Sequence, residues 1–272
     1  RLFQQRSQAR LIRFDEQTVP TAGMDNLNPK LWNRFRTVLS SPDDQEFLRK
    51  MKLISQGDNN IAYPTVSGIL MACDTPESFM SGAFIQAVCY RGIEKAGGYQ
   101  LDAKDICGPL DIQIREACRF VERNMRVYAI KAPHRIETPQ FSMNAVFEAL
   151  VNAVAHRDYS VYGSKIRLHL FADRLEIFSP GTIPNTMTID SLSERQSARN
   201  ELLTSLLARC PMNFDAPGSQ RSYIMDKRGE GVPIILKESE ELAGVRPEYR
   251  LLDDAELKLT LFAAPAPFDT RY

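Results

Sequence analysis

Apolar residues recur at helical spacing in several stretches of the chain and at every second position in others, and the two periods predict different elements. Between residues 143 and 156, Met143, Val146, Phe147, Leu150, Val151 and Val154 fall on one side of a helical wheel. Glu148, Asn152 and His156, spaced i, i+4, i+8, lie together on the other, with Ala145 and Ala149 beside them. Thr138-Pro139 offers an N-cap and a proline at the first helical position, which predicts a helix from there to about His156. Next, Ile166, Leu168 and Leu170 alternate with Lys165, Arg167 and His169, and Leu175 and Ile177 flank Glu176. The short link Ala172-Asp173-Arg174 makes these two runs an antiparallel hairpin, with His169 on a solvent face. Gly231–Leu242 reads as a helix and Leu257–Phe262 as a strand.

The first half is more mixed. The opening residues, Arg1–Arg13, read as a helix with Arg1, Arg6, Arg10 and Arg13 and no acid, and Thr18–Gly23 as a loop. Residues 26–60 read as helical: Asn28-Pro29 starts one segment, and Pro42 opens another with Phe47, Leu48 and Met51 in phase until Gly57-Asp58-Asn59-Asn60 breaks it. Val66–Ala72 suits a short helix, Ala83–Tyr90 a strand, and Asp111–Met125 a long helix with Ile114, Ala117, Cys118 and Val121 on one face. The order of elements predicts an α+β fold, a mixed or antiparallel sheet with helices on one face.

Composition narrows the function classes. The chain has 272 residues, 43% of them hydrophobic and 25% charged, so it can build a sizeable core. Lys plus Arg and Asp plus Glu are equal at 34 each, so the whole chain carries no basic excess for gripping nucleic acid. DNA contact would fall to a local patch, for which the N-terminal arginines with Lys30, Arg34 and Arg36 are the candidates. Apolar runs such as Ala83–Tyr90 are far shorter than the about 18 to 20 residues of a membrane helix, so no membrane partner is expected. The five cysteines are odd in number, with no C-x-x-C pair, and three histidines are too few for a multi-histidine metal site. They read as small core residues in a reducing, cytoplasmic compartment.

Among the motifs that carry chemistry, the stripe on the 143–156 helix stands out. An ordinary wet face is dressed with Lys, Glu and Arg, and Asn is a poor residue for an exposed helix interior, because its amide competes for backbone hydrogen bonds. Alanines beside Glu148 and Asn152 leave room for another molecule. The Asn carbonyl oxygen suits a hard cation such as magnesium, and the Glu suits orienting or deprotonating a water. No G-x-x-x-x-G-K-[ST] phosphate loop and no G-x-S-x-G elbow occur, and His156-Arg157-Asp158 is no kinase catalytic loop, since Gly163 stands where that loop has Asn. Arg157, Asp158 and Tyr159 fit better as the fixings of the turn that leaves the helix. The polar loop Ala216–Ser222 reads as a loop or a lid, His134 as structural, and Trp32 as a core anchor.

Glu148-Ala-Leu-Val-Asn152-Ala-Val-Ala-His156-Arg157-Asp158-Tyr159, followed by Asp173–Pro184, Arg199-Asn200 and Arg228-Gly229-Glu230-Gly231-Val232, resembles a bacterial and archaeal family. Its members are called RecG-related ATP-dependent helicase C-terminal domains or transcriptional regulators. The resemblance implies a GHKL-type ATPase-like sandwich of sheet and helices over residues 137–262. It implies a remnant helix and linker at 1–25, an intervening mixed region at 26–136 and a tail at 263–272. In the family a Schlafen AlbA-type domain usually precedes this one, so the chain reads as a fragment of a DNA-binding regulator, with a homodimer among the expected partners.

By the same resemblance, Glu148 is the catalytic, water-activating base and Asn152 the magnesium ligand. His156 and Asp158 line the nucleotide pocket, Ser179-Pro180-Gly181 forms the adenine loop, and Gly229 and Gly231 lie by the phosphates. The implied cofactors are ATP and Mg²⁺. Ser179 stands where such ATPases carry an Asp, and a neutral hydroxyl is the weaker acceptor. The alternative is a non-enzymatic scaffold that serves dimerisation and regulation.

Overall fold

The computed structural model describes residues 13–57, 60–95, 97–131, 135–184, 187–214, 221–226 and 228–266. The expected Arg1–Arg13 helix (but for Arg13), His134, most of the Ala216–Ser222 loop and most of the 263–272 tail lie outside the described residues.

A six-stranded mixed sheet organises the chain, in the order β4-β3-β7-β8-β10-β9. Its strands are β3 (Ile85–Tyr90), β4 (Gln100–Ile106), β7 (Ile166–Leu170), β8 (Arg174–Pro180), β9 (Glu248–Leu252) and β10 (Glu256–Phe262). Only β3 and β7 run parallel; the other neighbours are antiparallel. The sheet therefore draws strands from both sides of residue 136, and one hydrophobic core runs beneath it from Ala22 to Leu261.

Helices α4 (Leu110–Asn124), α5 (Met143–His156) and α7 (Gly231–Ala243) pack together, α5 in the middle. Leu168, Leu170, Leu175 and Ile177 share one buried core with Val146, Phe147, Leu150 and Val154 of α5. Each such side chain contributes roughly 1.5–3 kcal/mol by leaving water. The α+β reading is thus the observed fold.

The remaining elements wrap one end. Asn28 caps α1 (Pro29–Trp32) by accepting from the Lys30 N–H at 2.9 Å, and the chain then tightens into a 3-10 turn through Phe35. Asp43 caps α2 (Asp44–Lys50), and Thr65 caps α3 (Val66–Ala72). Trp32 is buried with its ring 6.0 Å from that of Phe47, as a core anchor should be. Between α2 and α3 the expected helix gives way to a hairpin of β1 (Ile54–Gln56) and β2 (Ala62–Pro64). There Ile54 pairs with Pro64, Ser55 with Tyr63 and Gln56 with Ala62, so the residues on either side of the Gly57–Asn60 signal form an antiparallel pair instead of a helix that ends.

The start of α5 also differs from expectation. Thr138-Pro139 does not cap it; Arg135–Pro139 is β6, paired with β5 (Val127–Lys131). Proline fits the last rung of that short ladder because no N–H is asked of it there. The cap is Ser142, whose Oγ accepts from the Ala145 N–H at 3.2 Å.

His169 is the clearest correction. It does not face solvent but is only 3% exposed. Alternation assigned it correctly to the sheet face opposite Leu168 and Leu170, but that face is covered. Tyr90, Phe171 and Phe178 surround the imidazole at ring separations of 5.7, 6.3 and 5.3 Å. Arg174 lies over Phe171 and Arg167 over Phe178. Of the residues expected to form a basic patch, Arg1, Arg6 and Arg10 lie outside the described residues, while Arg34 and Arg36 have partners of their own. Arg34 is held by both carboxylate oxygens of Asp111, and Arg36 by Asp44 and the Phe47 ring.

The cysteines are all free: Cys73, Cys89, Cys118 and Cys210 are buried, and Cys107 is exposed. Among the described residues no helix is long and apolar enough to cross a membrane.

Burial, with Lys95 and Arg167 nearby, holds the His169 imidazole down to about 4. Above the ordinary imidazole value the residue is neutral folded and unfolded, so its contribution to stability is complete there. Below pH ~6.5 the unfolded chain takes a proton that the folded chain refuses. Stability is therefore expected to fall between about pH 6.5 and 4, on the order of 3 kcal/mol from this residue. NMR titration of the folded protein should find the His169 ring neutral down to near pH 4; a midpoint at the ordinary value would put it in solvent.

Candidate functional site

A cavity of about 710 Å³ opens between α5, the end of β8, the start of α7 and α6 (Glu201–Leu207). Its size is in the range of small-molecule and cofactor sites. Glu148, Asn152 and His156 line it, so the stripe read from the helical wheel faces a hollow and not bulk water. Ser179, Gly181, Gly229 and Gly231 line it as well.

Helix α7 runs antiparallel to α5 and closes the deep end. Glu238 ties the pair together by accepting from Ser142 Oγ and Asn144 Nδ2, both at 2.5 Å. One end of the pair is thus fixed, and Gly231 at the other meets Glu148 and Asn152. A Cβ on Gly231 would stand 2.9 Å from Glu148 Oε2 and 3.1 Å from Asn152 Nδ2, so any other residue here would push these two side-chain ends aside. No side chain caps α7, and Pro233 has no N–H, so the N–H groups of Gly231 and Val232 make up its positive end.

Glu148 is 3% exposed, and its Oε1 is 2.5 Å from Nη1 of Arg221. Burial raises its pKa; Arg221 works the other way, while Asp226, Glu238 and Glu230 add to the rise. The result is a carboxylate more basic than usual beside an open volume, as a general base at neutral pH requires. Asn152 Nδ2 is buried without a hydrogen-bond partner among the described residues. An unpaired buried amide costs free energy, and such a cost is commonly retained where a ligand completes the set. His156, on the same wall, is pushed below the ordinary imidazole range by desolvation and then by Arg199.

The β8 end has a different character. Ile177, Leu257, Leu259 and Met187 give it an apolar lining, and the chain turns through Ser179-Pro180-Gly181. Ser179 Oγ donates to the Ala153 carbonyl of α5 at 2.9 Å, leaving its lone pairs as acceptors. Gly181 has φ +120°, and a Cβ there would be 2.8 Å from Asp158 Cβ.

Asp158 itself does not line the cavity. It stands behind the wall, where its Oδ2 accepts from Arg199 Nη1 at 2.9 Å and its backbone N–H donates to Pro180 O. Arg157 and Tyr159 likewise hold the turn, Tyr159 by donating to the Val154 carbonyl. The opposite wall is pinned by Gln196, which donates to the Arg228 carbonyl beside Gly229. It is also pinned by Asp15, 1% exposed, which accepts from the N–H groups of Leu202 and Leu203 at the start of α6. Sequence reasoning passed over Arg221, Gln196 and Asp15. The one available signal was that a buried glutamate needs a cation, and nothing local to α5 supplies it.

With that geometry in view, comparisons with known proteins are specific. Residues 163–261 match the family described as "Putative ATP-dependent DNA helicase recG C-terminal", an ATPase-like domain. The matched stretch holds Ser179, Gly181, Gly229 and Gly231, and begins after Glu148, Asn152, His156 and Asp158. The DIP2311 protein from Corynebacterium diphtheriae has a similar fold, with a TM-score of 0.68 at 18% identity over 94% of this chain. This chain spans 48% of that one, about half its length. No curated protein matches.

Alanine at Gly181 would combine an unfavourable φ with a clash against Asp158. Gly181→Ala is expected to lower unfolding free energy by about 2 kcal/mol or more in denaturant titration. A loss near zero would mean that the turn can relax and does not set the cavity's edge.

Proposed function

We propose that the cavity binds a magnesium–nucleoside triphosphate, ATP being the expected one, and that occupancy regulates the larger protein. The observation that carries this reading is the meeting of Asn152, whose buried Nδ2 has no hydrogen-bond partner among the described residues, and a basic Glu148 with the uncapped end of α7. Phosphate groups suit such a helix end, and the apolar β8 end suits a purine.

Asn152 fits magnesium through its Oδ1, a hard oxygen donor. Among the described residues no group of three or more His, Cys, Asp or Glu could hold a metal. That fits an ion held by one or two side chains together with substrate phosphates. When bound, magnesium would neutralise phosphate charge. The chain's own part follows from its groups. Gly229 and Gly231 allow backbone to approach the phosphates, while Ser179 and Gly181 border the base. His156, kept neutral, adds no charge to the wall, and Asp158 positions Arg199 behind it. In hydrolysis Glu148 would take a proton from water as the water oxygen bonds to the terminal phosphorus, and the bridging P–O electron pair would leave with the diphosphate.

A second reading keeps binding and drops turnover: a regulatory, dimerising scaffold in a DNA-binding transcription regulator. Two features favour it, Ser179 in place of an acid and the Arg221 pair that occupies Glu148. Ligand binding could then bias two states of the protein by its differential affinity alone.

Calorimetry with a non-hydrolysable ATP analogue, together with phosphate release from ATP itself, tests both. Wild type should bind only with magnesium present, because Glu148, Asp226 and Glu230 repel a bare triphosphate. Asn152→Ala should weaken binding at least about tenfold with an unchanged circular dichroism spectrum. Glu148→Gln should bind and not hydrolyse. Binding by Asn152→Ala equal to wild type would remove the nucleotide reading, and no hydrolysis by wild type would select the scaffold.

A further inference from the structure

We propose that Arg221 is the residue by which this cavity tells a nucleoside triphosphate from a diphosphate: its guanidinium leaves Glu148 for the terminal phosphate. The inference rests on the nucleotide reading above and deepens it, from a nucleotide site to one selective for the third phosphate.

The geometry of the pair points this way. Arg221 Nη1 lies 2.5 Å from Glu148 Oε1, and the side chains are 20% and 4% exposed. The other oxygen of the same carboxylate, Oε2, faces Gly231 at the start of α7, at 2.9 Å from where its Cβ would be. Glu148 therefore touches the guanidinium with one oxygen and the start of α7 with the other, and Arg221, which does not itself line the cavity, sits directly behind that carboxylate. A phosphate at that helix end arrives beside the pair and competes with Glu148 for the cation.

The competition is uneven. A terminal phosphate offers more charge and three oxygens to a planar fork of donors, which it matches as well as a carboxylate does. A diphosphate ends one group short and leaves the pair in place. Asp226, Glu230 and Glu238 also act on Glu148, so the pair sits in an acidic surround that magnesium would relieve as Arg221 departs.

The backbone allows a side-chain swing without unfolding. The Met212 N–H donates to Ser222 O at 2.9 Å and the Ile224 N–H to Cys210 O at 3.1 Å, and Ile224 is fully buried. Arg221 is thus a long arm on a fixed mount. Its departure frees Glu148 to accept a proton only when a third phosphate is present, so recognition and activation of the base are one event.

The double variant Glu148→Gln/Arg221→Ala leaves no buried charge unpaired; Glu148→Gln leaves the Arg221 side chain, 20% exposed, facing a neutral amide whose oxygen can still accept from it, so both should fold. Calorimetry with magnesium would compare AMP-PNP and ADP on wild type and both variants. Glu148→Gln should bind AMP-PNP more tightly than wild type, because the competitor for Arg221 is weakened. Adding Arg221→Ala should then cost about tenfold for AMP-PNP and less than about twofold for ADP. An AMP-PNP to ADP ratio unchanged by Arg221→Ala would overturn the role of Arg221 and leave the nucleotide site standing. Wild type that binds neither nucleotide would overturn the nucleotide reading itself.

Discussion

At Gly231 the first turn of α7 lies against the polar side of α5, so close that a methyl group there would have to displace the ends of Glu148 and Asn152. That contact, fixed at the far end by Glu238 on Ser142 and Asn144, sets where the positive end of α7 points. It brings an uncapped helix terminus, a buried carboxylate and a buried amide to one spot. The rest of the molecule serves this approach: the sheet supplies a floor for α5, and the loops at Ser179–Gly181 and Gln196–Arg199 close the sides.

Helix α5 does two jobs that usually conflict. Its apolar side anchors the core through Phe147, Leu150 and Val154, which favours a rigid, dry setting. Its other side carries Glu148 and Asn152 into nearly the same dryness, where polar groups are costly. The conflict is resolved by importing a cation, Arg221, from a distant segment. The ATPase-like family match over 163–261 covers most of the walls but not α5 itself, so the helix is tied to the site by packing rather than by that match.

Much of the architecture was legible because local rules sufficed. The β7–β8 hairpin, α3, α4, α7 and β10 follow from period and turn residues within a few positions. So did the facing of Glu148, Asn152 and His156, since helical geometry alone puts them in a line. What escaped depends on partners far along the chain. A wheel gives an angle and not what lies across from it, so Arg221 could not be matched to Glu148, nor the aromatic cover over His169 foreseen. The start of α5 differs from expectation because β6, ending at Pro139, pairs with β5, and the helix begins only after Ser142. Asp158 shared its neighbours' motif yet stands behind the wall, holding Arg199.

Asp15 gives the cavity an outside handle. Its carboxylate grips the first amides of α6, and Leu202, Thr204 and Ser205 of that helix form part of the cavity wall. The other carboxylate oxygen is buried without a partner, and burial raises the pKa of the group, so the grip works against desolvation. A mechanical load on the turn at Phe14–Glu16 would therefore be transmitted to the wall through two amide hydrogen bonds, with leverage on the volume enclosed.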